Sequence, residues 1–211
     1  LVAEPGFRER FLREARLAAS LEHPHLLPVY EAGEVDGVVF LAMKLVDGVS
    51  LAEVLAREGR LEPGRAVSLV TQVASALELA HAAGLVHRDV KPANVLVAEL
   101  GGREHAYLCD FGLSRRVAGG SALTRPEGFV GSAAYAAPEQ IRGGVVDGRT
   151  DVYALGCVLF ECLTGRRPFA HEDELALMWA HMHERPPRPS EHDTALAHFD
   201  AIAERALAKD P

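Results

Sequence analysis

The chain has 211 residues, 48% of them hydrophobic, and 22 Lys+Arg against 30 Asp+Glu give a formal charge of −8 at pH 7. A soluble globular chain of this length buries roughly 70% of the surface its unfolded form exposes, which excludes disorder and collagen-like repeats. The acidic balance removes the counterion release that dominates nucleic-acid affinity, so no nucleic-acid partner is expected, although a local basic site stays compatible with it.

From Pro5 to Leu21, Phe7, Phe11, Ala15, Ala18 and Leu21 recur at helical spacing, and His23-Pro24 reads as the stop of an amphipathic helix. Two short runs rich in β-branched and aromatic residues follow, Leu26–Tyr30 and Val38–Met43, separated by Glu34, Asp36 and Gly37. They predict a strand pair joined by a turn. After Gly48 the texture changes: Ser50–Glu58 and Pro63–Ala83 are helical, the second with Ala66, Val70, Val73, Leu77 and Ala80 on one face. Val95–Ala98 and His105–Cys109 around Gly101-Gly102 predict a hairpin that brings Asn94 and Asp110 close together. The segment Gly112–Ala137 has little periodicity and is a long loop of the kind that usually serves function. Three helical stretches complete the chain, near Asp151–Thr164, Asp173–His183 and Ala195–Ala208, with the rigid connection Arg185-Pro-Pro-Arg-Pro189 between the last two.

The three cysteines, Cys109, Cys157 and Cys162, are odd in number and lack C-x-x-C spacing, which points to a reducing compartment rather than to disulfides or a zinc knuckle. The longest nearly apolar stretch, Val152–Leu163, falls short of the ~20 residues that span a bilayer. The first residue is Leu, and no charged segment precedes an apolar run, so the chain reads as an excerpt without a signal peptide.

Three clusters carry chemistry: His87-Arg88-Asp89-Val90-Lys91-Pro92-Ala93-Asn94, then Asp110-Phe111-Gly112, then Ala137-Pro138-Glu139. Each alone is ordinary, a surface turn or a strand end. Their joint order resembles the eukaryotic-like, bacterial-type serine/threonine protein kinases, whose H-R-D-L-x-x-x-N, D-F-G and A-P-E motifs occur in this sequence, here with Val90 for the usual Leu.

The resemblance implies an α+β, protein-kinase-like fold, with a truncated small β-containing lobe at residues 1–46 (helix C, strands 4 and 5, hinge) and a large, mainly helical lobe at 47–211. It implies a serine/threonine kinase that uses ATP and Mg²⁺ to phosphorylate protein hydroxyls in signalling. By it, Asp89 is the catalytic carboxylate that takes the hydroxyl proton. Lys91 meets the transferring phosphoryl group and argues for serine/threonine specificity. Asn94 and Asp110 hold Mg²⁺ through hard oxygen donors. Glu14 resembles the helix-C glutamate that pairs with a strand lysine, Met43 the gatekeeper, and Lys44-Leu45-Val46 the hinge beside adenine; Leu96 also belongs to the nucleotide site. Arg88 receives an activation-loop phosphate, from Ser114, Ser121, Thr124 or Ser132, with Thr124 favoured and Ser132 facing substrate; Asp151 anchors the catalytic-loop backbone.

The family's glycine-rich loop and strand lysine do not precede the first helix, and the only lysines are Lys44, Lys91 and Lys209. The chain also stops before the arginine that relatives pair with a residue like Glu139. These 211 residues are therefore expected to be inactive by themselves. The family places the catalytic domain in the cytoplasm, frequently followed by a membrane helix and sensor domain. Two rival readings remain: a pseudokinase or kinase-fold scaffold, against which the intact Asp89, Asn94 and Asp110 lean, and a small-molecule phosphotransferase, which would lack Lys91-Pro92 and the Ala-Pro-Glu segment.

Overall fold

The computed structural model describes residues 7–36, 38–111 and 133–210. Helix α1 (Phe7–Ala19) lies within the predicted segment and buries Ala15 and Ala18; the side chains of Phe7 and Phe11, assigned to the same face, lie outside the described residues. Strands β1 (Val29–Val35) and β2 (Val38–Met43) pair antiparallel with Val35 opposite Val38. Asp36 between them has φ 51°, the left-handed value that a two-residue hairpin turn requires.

This pair corrects one predicted boundary. The first strand begins at Val29, not at Leu26, and continues through the polar Glu31-Ala32-Gly33-Glu34. Leu26 instead makes an isolated parallel bridge to Leu108, and the Leu27 N–H donates to the Leu108 carbonyl at 2.9 Å. The apolar pair Leu26-Leu27 is a buried docking point on the core. The true strand carries little apolar patterning because Tyr30, Glu31 and Val35 face solvent.

The second sheet has three antiparallel strands in the order β3 (Gly48–Ser50), β4 (Val95–Leu100), β5 (Arg103–Leu108). The β4–β5 hairpin is the predicted one, but β3 was not expected, since three residues are too few to show a period. Gly48 permits the close approach, because a Cβ there would run into the Val97 carbonyl.

Helix α2 (Leu51–Glu58) starts from a capping box: Ser50 Oγ accepts the Glu53 N–H at 3.2 Å, and the Glu53 carboxylate accepts the Ser50 N–H at 2.8 Å. Helix α3 (Pro63–Ala82) has Pro63 in its first turn and the Glu62 carboxylate on the Arg65 N–H at 3.0 Å. It buries Ala66, Leu69, Val73, Ala76, Leu77 and Ala80, whereas the predicted Val70 is only partly covered. Its partner is α5 (Gly148–Thr164), capped at its start by Asp147 and almost wholly buried from Tyr153 to Phe160. Short α4 (Pro138–Arg142) precedes α5, and α6 (Glu174–His183) follows it, capped by the Asp173 carboxylate on the Ala176 N–H at 2.9 Å.

The predicted final helix is broken. Residues Thr194–Phe199 form 3-10 turns, and only Asp200–Ala206 is α-helical (α7). Asp193 caps the first part through the Ala195 N–H at 3.0 Å, while the Asp200 carboxylate turns aside to accept from Ser190 N–H at 3.0 Å and Oγ at 2.6 Å. Two local caps thus compete with one continuous helix. Gly156 lets α7 close on α5, since a Cβ there would stand 2.8 Å from the Ala206 Cβ.

The main core gathers α2, α3, α5 and the three-stranded sheet around Leu51, Leu69, Val95, Leu108 and Leu163. All three cysteines are buried free thiols. Among the described residues no helix is long and apolar enough to cross a membrane.

Candidate active site

The chemistry-bearing residues converge on the two ends of the β4–β5 hairpin. Before β4, a 3-10 turn at Pro92–Asn94 sends the Asn94 N–H to the Lys91 carbonyl at 2.9 Å. After β5, the Cys109 N–H donates to the Asn94 carbonyl at 3.0 Å. That bond places Asp110, exposed and at φ 57°, across from Asn94.

Asp89, Lys91 and Asn94 form one hydrogen-bonded cluster. Lys91 Nζ donates to Asp89 Oδ2 at 2.6 Å, with side-chain exposures of 21% and 12%. Asn94 Nδ2 donates to the Asp89 carbonyl at 2.8 Å and to Asp89 Oδ2 at 3.1 Å. With its nitrogen turned inward, Asn94 leaves its amide oxygen as the group able to meet a cation.

Beneath the cluster lies a rigid support. His87 is wholly buried; its Nε2–H donates to the Cys109 carbonyl at 2.9 Å and its Nδ1 accepts the Asp89 N–H at 3.3 Å. One nitrogen must donate and the other accept, so the ring is neutral, and burial pushes its pKa down accordingly. The ring also packs on Phe111, with centroids 4.8 Å apart. Asp151, wholly buried in the first turn of α5, accepts the His87 N–H at 2.8 Å and the Arg88 N–H at 2.7 Å, and its Oδ2 lies 2.7 Å from His81 Nε2. These are the backbone contacts expected of it. Burial, with Asp110 close by, pushes the Cys109 thiol up to about 12, so it stays protonated.

The residues assigned to the nucleotide lie in a second group. Met43, Val46 and Leu96 pack on one cluster with Leu27, Ala98, Tyr107 and Cys109. Lys44 sends its N–H to the Pro28 carbonyl at 2.9 Å and its Nζ to the Tyr107 hydroxyl at 3.0 Å. Its side chain is thus directed at β5, and what it can present elsewhere is its backbone carbonyl. A small cavity runs between Ala18, Val29, Leu41, Met43, Asp110 and Phe111. It connects α1 with the end of β2 and with Asp110. Glu14 is half-buried one helical turn before Ala18, which lines this cavity. The candidates Ser114, Ser121, Thr124 and Ser132 lie outside the described residues.

The donor set suits a magnesium ion. Asp110 and Asn94 supply hard oxygen donors of the kind such a cation takes.

One participant escapes motif reading. Gln140 Nε2 donates to the Arg88 carbonyl at 2.9 Å while its Oε1 accepts the Ala137 N–H at 3.0 Å. The available signal was local: a Gln three residues after the Ala137 that precedes α4 is the pattern of a helix-start cap.

A family model described as "Protein kinase domain" matches residues 2–209. Serine/threonine-protein kinase PknE of Mycobacterium tuberculosis is 45% identical over 212 residues, covering 100% of this chain and 37% of that protein. PknH of the same organism is 45% identical over 209 residues, covering 99% of this chain and 33% of that protein, and PknB is 40% identical over 217 residues, covering 100% and 34%. The chain therefore spans about a third of the length of these relatives. The crystal structure of the Mycobacterium tuberculosis PknI kinase domain matches with a TM-score of 0.77 and 37% identity, over 99% of this chain and 74% of that one.

Proposed function

Because the chain belongs to the protein kinase domain family, we propose that it is the catalytic part of a bacterial-type serine/threonine kinase that transfers the γ-phosphate of ATP to protein hydroxyls. The observation that carries this reading is the Asp89–Lys91–Asn94 cluster set opposite Asp110, since a carboxylate, a cation and two hard-oxygen donors are what in-line phosphoryl transfer needs on the helical side of the nucleotide. In it, residues 1–46 are what this chain holds of the small lobe and residues 47–211 the helical lobe.

The work divides among this chain's own groups. Asp89 accepts the proton of the attacking hydroxyl and orients its oxygen, a role worth roughly 10²–10⁴-fold in rate. Lys91, already paired with that carboxylate, offsets charge on the transferring group. Asn94 and Asp110 would hold Mg²⁺, which when bound neutralises the β- and γ-phosphates. Met43, Val46 and Leu96 provide an apolar seat for the adenine ring, and the Lys44 carbonyl a hydrogen-bond acceptor at its edge. Glu14 takes the place of the helix-C glutamate that, in the kinase resemblance, pairs with a nucleotide-binding lysine.

The test is Asp89→Asn in the full-length protein, with Mg²⁺-ATP and a generic protein acceptor. Turnover should fall by about 10²-fold or more while nucleotide affinity stays nearly constant. Undiminished turnover would remove Asp89 from the reaction.

A further inference from the structure

We propose that Gln140 is a positioning residue for Asp89, acting through a hydrogen bond to the Arg88 carbonyl. The inference rests on the reading of Asp89 as the group that accepts the hydroxyl proton.

Arg88 has φ 67°, a left-handed conformation that a side-chain-bearing residue keeps only when its surroundings impose it. Those surroundings are visible. The Arg88 N–H is held by Asp151 Oδ1 at 2.7 Å, and the Arg88 carbonyl is held by Gln140 Nε2 at 2.9 Å. The next peptide plane, from the Arg88 carbonyl to the Asp89 N–H, is pinned at both edges, because the Asp89 N–H donates to His87 Nδ1. A trans peptide is rigid and planar, so fixing its oxygen and its hydrogen fixes the position of the Asp89 Cα and the direction of its N–Cα bond, the base from which the Asp89 side chain leaves the backbone. Gln140 holds the carbonyl edge of that plane.

The orientation of the Gln140 amide is determined by its other contact. Its Oε1 accepts the Ala137 N–H at 3.0 Å at the start of α4, so its NH₂ group must face Arg88. Gln140 therefore straps the catalytic loop to the chain that leads into α4, where Ala133, Ala134, Tyr135, Ala136 and Ala137 are all buried. A shift of that segment reaches the Arg88–Asp89 peptide through the Gln140 side chain.

Glutamate and methionine separate the two halves of this role. Gln140→Glu keeps the acceptor for Ala137 but turns a lone pair toward the Arg88 carbonyl, and only its protonated form can donate there. Gln140→Met keeps the length and offers neither bond. In the full-length protein, with Mg²⁺-ATP and a generic protein acceptor, the single-turnover transfer rate of Gln140→Glu should drop about tenfold or more at neutral pH with KM for ATP within about twofold. Gln140→Met should lose rate to a similar degree. If Gln140→Glu fails to fold, the Gln140→Met split between rate and KM decides. Parental rates in the folded variants would overturn the positioning role while an inactive Asp89→Asn leaves the kinase reading standing. An active Asp89→Asn would overturn the kinase reading itself.

Discussion

The residues around Asp89 and the two strands β1 and β2 are held in opposite ways. The segment from His87 to Asn94 is pinned from below by two side chains distant in sequence, Asp151 on two backbone N–H groups and Gln140 on a carbonyl, and by its own buried His87 on the Asp89 N–H. The β1–β2 pair is held by its own ladder, with Tyr30, Val35 and Val38 exposed at 70%, 61% and 67%. The difference teaches where precision resides. The proposed proton acceptor and metal donors take their geometry from the buried interior, whereas the strands leading to Met43 turn Tyr30, Val35 and Val38 to solvent.

Removing the interior anchor should have the largest effect on stability. Asp151→Ala leaves the His87 and Arg88 N–H groups and His81 without their shared acceptor, and breaking a buried charged network of this kind costs about 3–5 kcal/mol. Urea unfolding of variant and parent measures it; a loss under about 1 kcal/mol would mean that Asp151 contributes no more than a surface ion pair.

Acid should weaken the same side of the molecule. His181 is buried against Tyr153, and burial, with the Lys209 ammonium beside it, pushes its pKa down from 6.5 to about 3. Between those values the unfolded chain binds a proton that the folded chain refuses, so the stability this site contributes is complete above about 6.5 and is lost as pH falls toward 3. His87 is lowered in the same direction. Denaturation midpoints should decline below pH 6.5, and His181→Gln should flatten the decline; an equally steep profile in that variant would assign the loss to other groups.

The smallest effect belongs to the strand pair. Val38→Thr exchanges an exposed methyl for a hydroxyl at a position that keeps its β preference, and stability should stay within about 0.5 kcal/mol of the parent. A larger loss, read by the same unfolding curves, would show that this face is covered in solution and would erase the contrast between the two regions.

Much of this molecule is legible in its sequence where the signal is local. The starts of α2 and α3 follow from Ser50 with Glu53 and from Pro63, because a cap and the groups it satisfies lie within one turn of each other. The hairpin at Gly101-Gly102 and the order of the three motifs are equally local, and from them the nearness of Asn94 to Asp110 could be anticipated. Tertiary structure alone decided the rest. Leu26 looks like strand and is a bridge to Leu108, residues 195–208 look like one helix and are divided at Asp200, whose carboxylate bonds Ser190 ten positions back, and Gly48–Ser50 becomes a strand only because β4 lies beside it. The same holds for Gln140 and Arg88, whose bond spans 52 positions of the chain. Periodicity and capping report free energies that act within a few residues, whereas these features depend on which distant donor or acceptor the completed core brings within hydrogen-bonding reach.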